Sequence, residues 1–197
     1  MGQVDVGEAK RLLRRDLLAL RRGLHPSEVA RASAAVTTRL AQLPELSGPV
    51  SVLAYAADPD EITLDALLAA PPDGWRLFLP RVEHGEVVVV PHRAGSPLRI
   101  GHRGIREPDG TPVDASVLDV VLVPGVAFSP AGVRLGRGAG MYDRLLPRTD
   151  GAVRVGVCSE TFVRDEVPAE AHDVPVDVLV TDASVRRRAA ASGAGCA

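Results

Sequence analysis

Asp119 to Val123 most narrows the folds open to this chain, because Val120, Val121, Leu122 and Val123 run on without polar alternation. A strand with one face in water alternates, so a flat apolar run must be covered on both faces. Val50 to Ala56, Val153 to Cys158 and Asp177 to Thr181 are similar short runs, and helical segments are interspersed with them. Only helices on both sides of a sheet bury such strands twice. The expected fold is therefore a Rossmann-like three-layer α/β/α sandwich with a mainly parallel sheet. At 197 residues the chain is long enough for one substantial core, so 1–197 is read as a single domain. Residues from about 186 to 197, an Arg run followed by Ala, Ser and Gly, are expected to fray as a disordered tail.

From Val6 to Leu24, Leu13, Leu17, Leu20 and Leu24 recur at intervals of four, three and four, the spacing of an amphipathic helix. Lys10, Arg14 and Arg21 fall in a strip about 40° wide beside that seam. They either reach over the rim of a cleft or form part of a solvated face. Among 23 basic residues Lys10 is the single Lys. A second helix is expected from Pro26 to Leu43, and a strand from Val50 to Ala56 that ends in the elbow Ala57-Asp58-Pro59-Asp60-Glu61. A helix from about Ile62 to Ala70 follows. Glu61 stands where α/β sheets gather ligands, but an acid in a first helical turn also complements the dipole, and both readings stay open.

Arg76 to Pro80 and Glu86 to His92 read as a hairpin around Glu83-His84-Gly85. His84, His92 and His102 lack metal-binding spacing and are placed in loops or on the surface. The Gly- and Pro-rich stretch from Gly95 to Asp114 is long enough to cover a site.

After Val123 the chain is read as a long polar loop with glycines at 132, 136, 138 and 140, Arg134 and Arg137 between them, and a short helix carrying Asp143. Glycines let backbone N–H groups turn toward an anion, and arginines add charge-assisted bonds. Asp143 has the chemistry of a magnesium ligand or, equally, of a cap or salt bridge. Neither GxxxxGK[ST] nor a GxGxxG turning directly from strand to helix is present, since this loop begins eleven residues past its strand. Phosphate binding and an ordinary Gly-rich loop both remain possible.

Aromatic residues at 3% and a net charge of -2 argue against a nucleic-acid partner. No apolar run reaches the length of a membrane span, and the first 25 residues are too charged for a signal peptide. Cys158 and Cys196 make a poor disulfide framework, and Cys158 reads as a small core residue. The expectation is a cytoplasmic protein without nucleic-acid or membrane partners.

Pro124-Gly125-Val126-Ala127-Phe128 followed by the run from Gly132 to Arg144 resembles the signature of the 5-formyltetrahydrofolate cyclo-ligase family, also called 5,10-methenyltetrahydrofolate synthetases. The resemblance extends to Lys10, Arg14 and Arg21 (KxxxRxxxxxxR), Glu61, Gly104 to Pro108, and His172-Asp173-Val174-Pro175 with Thr181. It implies that ATP and 5-formyltetrahydrofolate yield 5,10-methenyltetrahydrofolate, ADP and phosphate. It further implies ATP contacts from Lys10, Arg14, Arg134, Leu135, Gly136, Arg137, Gly138, Ala139, Gly140, Met141 and Tyr142. Lys10 and Arg137 would serve catalysis, Glu61 and Tyr142 the reduced folate, and Asp143 and Asp173 would hold Mg2+. A monomer acting on small molecules is expected. Ala139, Met141, Phe162 and Thr63 depart from the pattern; the first three leave open a non-catalytic nucleotide- or folate-binding relative, and an ATP-dependent ligase or kinase on another substrate stays open because nothing local to the sequence identifies a pterin.

Overall fold

The computed structural model describes residues 5–101 and 104–189. Helix α1 (Val6–Arg22) starts at Asp5, whose carboxylate accepts the Gly7 N–H, and α2 (Pro26–Ala41) starts at a capping box made by His25 and Glu28. Five strands run parallel in the order β10 (Val178–Val180), β9 (Val153–Val157), β6 (Val120–Pro124), β1 (Val50–Leu53) and β2 (Trp75–Glu83). Antiparallel strands close both edges, β3 (Glu86–His92) beside β2 and β11 (Val185–Arg187) beside β10. The mixed, mainly parallel sheet between helices agrees with the three-layer expectation.

The flat run in β6 is flat because its side chains are used alternately on two cores. Val120 and Leu122 pack under α2 with Val36, Leu40 and Val52. Val121 and Val123 face the opposite layer with Phe128, Leu145, Leu146 and Leu179, which brings in the short helix α4 (Met141–Leu145). Each such buried side chain contributes about 1.5–3 kcal/mol of hydrophobic transfer energy. A third cluster sets Leu17 of α1 on Val126, Ala127, Leu135, Phe162 and Val167. Thus α1 covers the carboxyl end of the sheet rather than either face.

Several expectations change. Leu20, assigned to the buried seam of α1, is 46% exposed, because the helix rests on a narrow support and only part of its apolar side is covered. The helix after the elbow, α3, spans only Asp65–Ala69. The loop after β6 is not simply polar: residues 125–129 are buried, and β7 (Ala127–Phe128) pairs with β8 (Arg134–Leu135). This small hairpin accounts for the distance between strand and glycine loop. Its turn needs Gly132, at φ +83°, where a Cβ would lie 2.3 Å from the Val176 carbonyl oxygen. His92 is buried in β3 rather than on the surface, and burial lowers its pKa.

The expected fraying from 186 onward does not hold for residues 186 and 187, which form β11. Arg186 grips the Glu160 carboxylate, with Nη1 at 3.0 Å from Oε2, and Arg187 pairs with Glu45. These ion pairs and the free edge of β10 order the segment; residues 190–197, like His102, lie outside the described residues. Burial pushes the Cys158 thiol up to about 12, in keeping with a core residue. No helix among the described residues is long and apolar enough to cross a membrane.

Candidate active site

In α/β sheets, ligands bind beyond the carboxyl ends of the strands, where the chain reverses its direction of travel across the sheet. Here β1 is followed by β2 on one side and adjoined by β6 on the other, and both β1 and β6 end at the same cleft. The cleft measures about 300 Å³. Lys10, Arg14, Glu61, Arg134, Leu135, Gly136, Arg137, Gly138, Ala139, Gly140, Met141, Tyr142, Asp143 and Asp173, the whole set expected from sequence, line it together.

The cations of the cleft are each held by a named group. Lys10 Nζ lies 2.7 Å from Glu170 and 2.6 Å from Asp173. Burial opposes its charge, but hydrogen bonds to Asp173 and Glu170 outweigh that and raise its pKa. Arg14 donates from Nε to the Gly136 carbonyl at 2.7 Å and so fixes the glycine loop to α1. Arg134 pairs with Asp143, and its guanidinium lies over the Tyr142 ring at 5.6 Å. Arg137 crosses to the elbow, reaching Glu61 at 2.9 Å, Asp58 at 3.3 Å and Asp60. Burial alone would lower the Arg137 pKa, but the Glu61 and Asp60 carboxylates reverse this and raise it.

The loop turns on two glycines in the left-handed region. Gly138 has φ +95° and Gly140 φ +64°, and Gly140 leads into α4. Side chains at these positions would be strained in backbone conformation alone. Tyr142 carries a buried hydroxyl without a hydrogen-bond partner among the described residues. Burial, and the nearby Glu61 charge, raise its pKa, so the phenol stays a neutral donor.

Other lining residues were not singled out from sequence as site candidates. Tyr55, Asp58, Glu170 and His172 belong to the cleft, as do Ile105, Arg106 and Glu107. The last three come from the hairpin β4 (Leu98–Ile100) and β5 (Arg106–Pro108) within the Gly- and Pro-rich stretch. The signal for Glu170 was its spacing before His172 and Asp173: their ligand atoms all lie within 4.8 Å of one another. Carboxylate oxygens suit a hard divalent cation such as magnesium, with His the poorer donor. Phe162 lies outside the cleft, below the Arg21 guanidinium at 4.6 Å from the ring centroid. Its departure from the resemblance therefore leaves the cleft wall itself unchanged. Thr63 is likewise outside the cleft, its N–H donating to Ser33.

Residues 6–182 match the model of the 5-formyltetrahydrofolate cyclo-ligase family. The 5-formyltetrahydrofolate cyclo-ligase of Saccharomyces cerevisiae is 29% identical over 198 residues, covering 87% of this chain and 94% of that protein. The enzyme of the same name from Mycolicibacterium smegmatis is 36% identical over 146 residues, 66% of this chain and 73% of its own. Among solved structures, the 5,10-methenyltetrahydrofolate synthetase of Aquifex aeolicus superposes with a TM-score of 0.82 at 37% identity, over 95% of this chain and 96% of that one. A synthetase from Mycoplasma pneumoniae shares the fold at a TM-score of 0.71 and 22% identity. With a match reaching from the first residues of α1 to just past β10, this chain belongs to the 5-formyltetrahydrofolate cyclo-ligase family of enzymes.

Proposed function

We propose that this protein converts 5-formyltetrahydrofolate to 5,10-methenyltetrahydrofolate at the expense of ATP, releasing ADP and phosphate. The observation that carries the reading is convergence: α1, the elbow after β1, the loop after β8 and the segment before β10 all contribute charged groups to one cleft, in a member of this family. An N-formyl oxygen is a poor leaving group. Transfer of the γ-phosphoryl group to it creates a good one; N10 then attacks the formyl carbon and gives up its proton, and phosphate departs with the C–O bond.

Phosphoryl transfer is mainly positioning and charge neutralisation. Lys10, Arg14 and the loop from Arg134 to Tyr142 bind the ATP phosphates through side chains and backbone N–H groups, and Arg137 neutralises the group in transit with Lys10 beside it. Glu61 and Tyr142 orient the reduced folate, the phenol as a neutral donor. Asp143 and Asp173 would hold Mg2+, with Glu170 adjacent; the ion, when bound, lowers the negative charge of the phosphate oxygens. A cytoplasmic monomer with a single catalytic domain belongs to the same proposal.

Mixing protein, MgATP and 5-formyltetrahydrofolate should produce the absorbance of the methenyl chromophore. Folded protein that binds ATP yet gives no such rise overturns the enzyme reading in favour of a non-catalytic binder.

A further inference from the structure

Arg21 is the most enclosed cation of α1, at 4% exposure, and the proposed chemistry leaves it without a task. Its Nη2 donates to the carbonyls of Gly125 at 2.5 Å and Val126 at 3.1 Å, which pins the chain as it leaves β6. Its Nε and Nη1 are buried and make no hydrogen bond to any described residue. A guanidinium has five N–H donors, and leaving some of them dry is costly, so a structural pin for two carbonyls does not explain the whole group. Burial lowers the Arg21 pKa, with Glu61 the largest opposing influence.

The unused Nη1 lies 3.9 Å from the Glu61 carboxylate, beyond hydrogen-bond distance. That same Oε1 is held at 2.9 Å by Arg137. Glu61 forms part of the wall between the main cleft and a cavity of about 80 Å³ that Arg21 lines. One carboxylate thus stands between two guanidinium groups, one engaged on the cleft side and one waiting on the buried side. When Arg137 turns to a nucleotide it leaves a largely enclosed carboxylate, 11% exposed, whose desolvation is costly without a cation.

We infer that Arg21 is a positioning residue that takes over Glu61 as Arg137 departs, closing the present 3.9 Å gap to a hydrogen bond. The exchange lowers the cost of releasing Arg137 and keeps Glu61 charged and fixed for the second substrate. This inference rests on the reading of Arg137 as a nucleotide contact.

Calorimetric titration with the magnesium complex of the β,γ-imido analogue of ATP reads the exchange without turnover. Arg21→Met should weaken binding about tenfold, inside the coupling range of charged neighbours. In the Glu61→Gln background, which has no carboxylate to hand over, the same change should cost less than about twofold. Arg21→Lys keeps a cation beneath the Gly125 and Val126 carbonyls and should recover part of the loss; where the Met variant does not fold, it is read in the same two backgrounds. Equal losses in both backgrounds mean that Arg21 only pins the chain, and overturn the exchange. Arg137→Met separates the two ideas: if it leaves affinity unchanged, the reading of Arg137 falls and the exchange with it. Weakened binding in Arg137→Met without coupling between Arg21 and Glu61 removes the exchange alone.

Discussion

Replacing Lys10 by Met removes one charge from a group of three. The Lys10 and Asp173 side chains are 10% and 13% exposed, whereas Glu170 is 41% exposed. Breaking a buried pair costs about 3–5 kcal/mol and breaking an exposed one about 0–1 kcal/mol. With one shielded partner and one screened by water, the loss should be about 1–2 kcal/mol. Its pH dependence is fixed by the two shifts. Burial opposes both charges, yet the pairing raises Lys10 above 10.5 and, together with the Glu170 N–H, lowers Asp173 below 3.8. A raised lysine contributes stability that is complete below 10.5 and lost as pH rises through the folded value. A depressed carboxylate contributes stability that is present above 3.8 and lost as pH falls through the folded value. The difference between wild type and Lys10→Met in urea unfolding should therefore be flat from about pH 5 to 9 and close at both extremes. A gap as large at about pH 2 as at pH 7, or no gap at all, refutes the pairing argument.

Tyr142→Phe deletes a buried hydroxyl that has no partner among the described residues, so thermal stability should hold or rise, within about 1 kcal/mol. The KM for the folate should increase severalfold while that for ATP stays put; an unchanged folate KM removes Tyr142 from the substrate contacts. Asp143→Asn takes the carboxylate from Arg134, which is 8% exposed, and should cost about 1–2 kcal/mol in chemical denaturation. It should also raise the magnesium concentration needed for half-maximal rate. Loss of stability with a wild-type magnesium titration assigns Asp143 to the ion pair alone.

The sequence by itself determined the sheet, because hydrophobic periodicity is local. Val120 to Val123 had to be covered on both sides whatever else the chain did, and Leu13 and Leu17 marked the inner side of α1 in the same way. It also determined the chemical types in the cleft, since four glycines, two arginines and Asp143 sit within a dozen positions between 132 and 143. Leu20, Arg186 and Arg187 were misjudged because their placement does not depend on local pattern. The first required knowing how little α1 rests upon, and the others required Glu160 and Glu45 from distant segments.

Only the tertiary structure decided which charge meets which. Lys10 and Asp173 are 163 positions apart, and Arg137 and Glu61 are 76 apart. Such pairs are set by where β1, β6 and β10 end in space, which no spacing along the chain encodes. Arg21 is the sharpest instance. On the helix it is one more cation in a basic strip; in the fold it is buried beneath the chain leaving β6, with one donor facing a carboxylate that another arginine already holds.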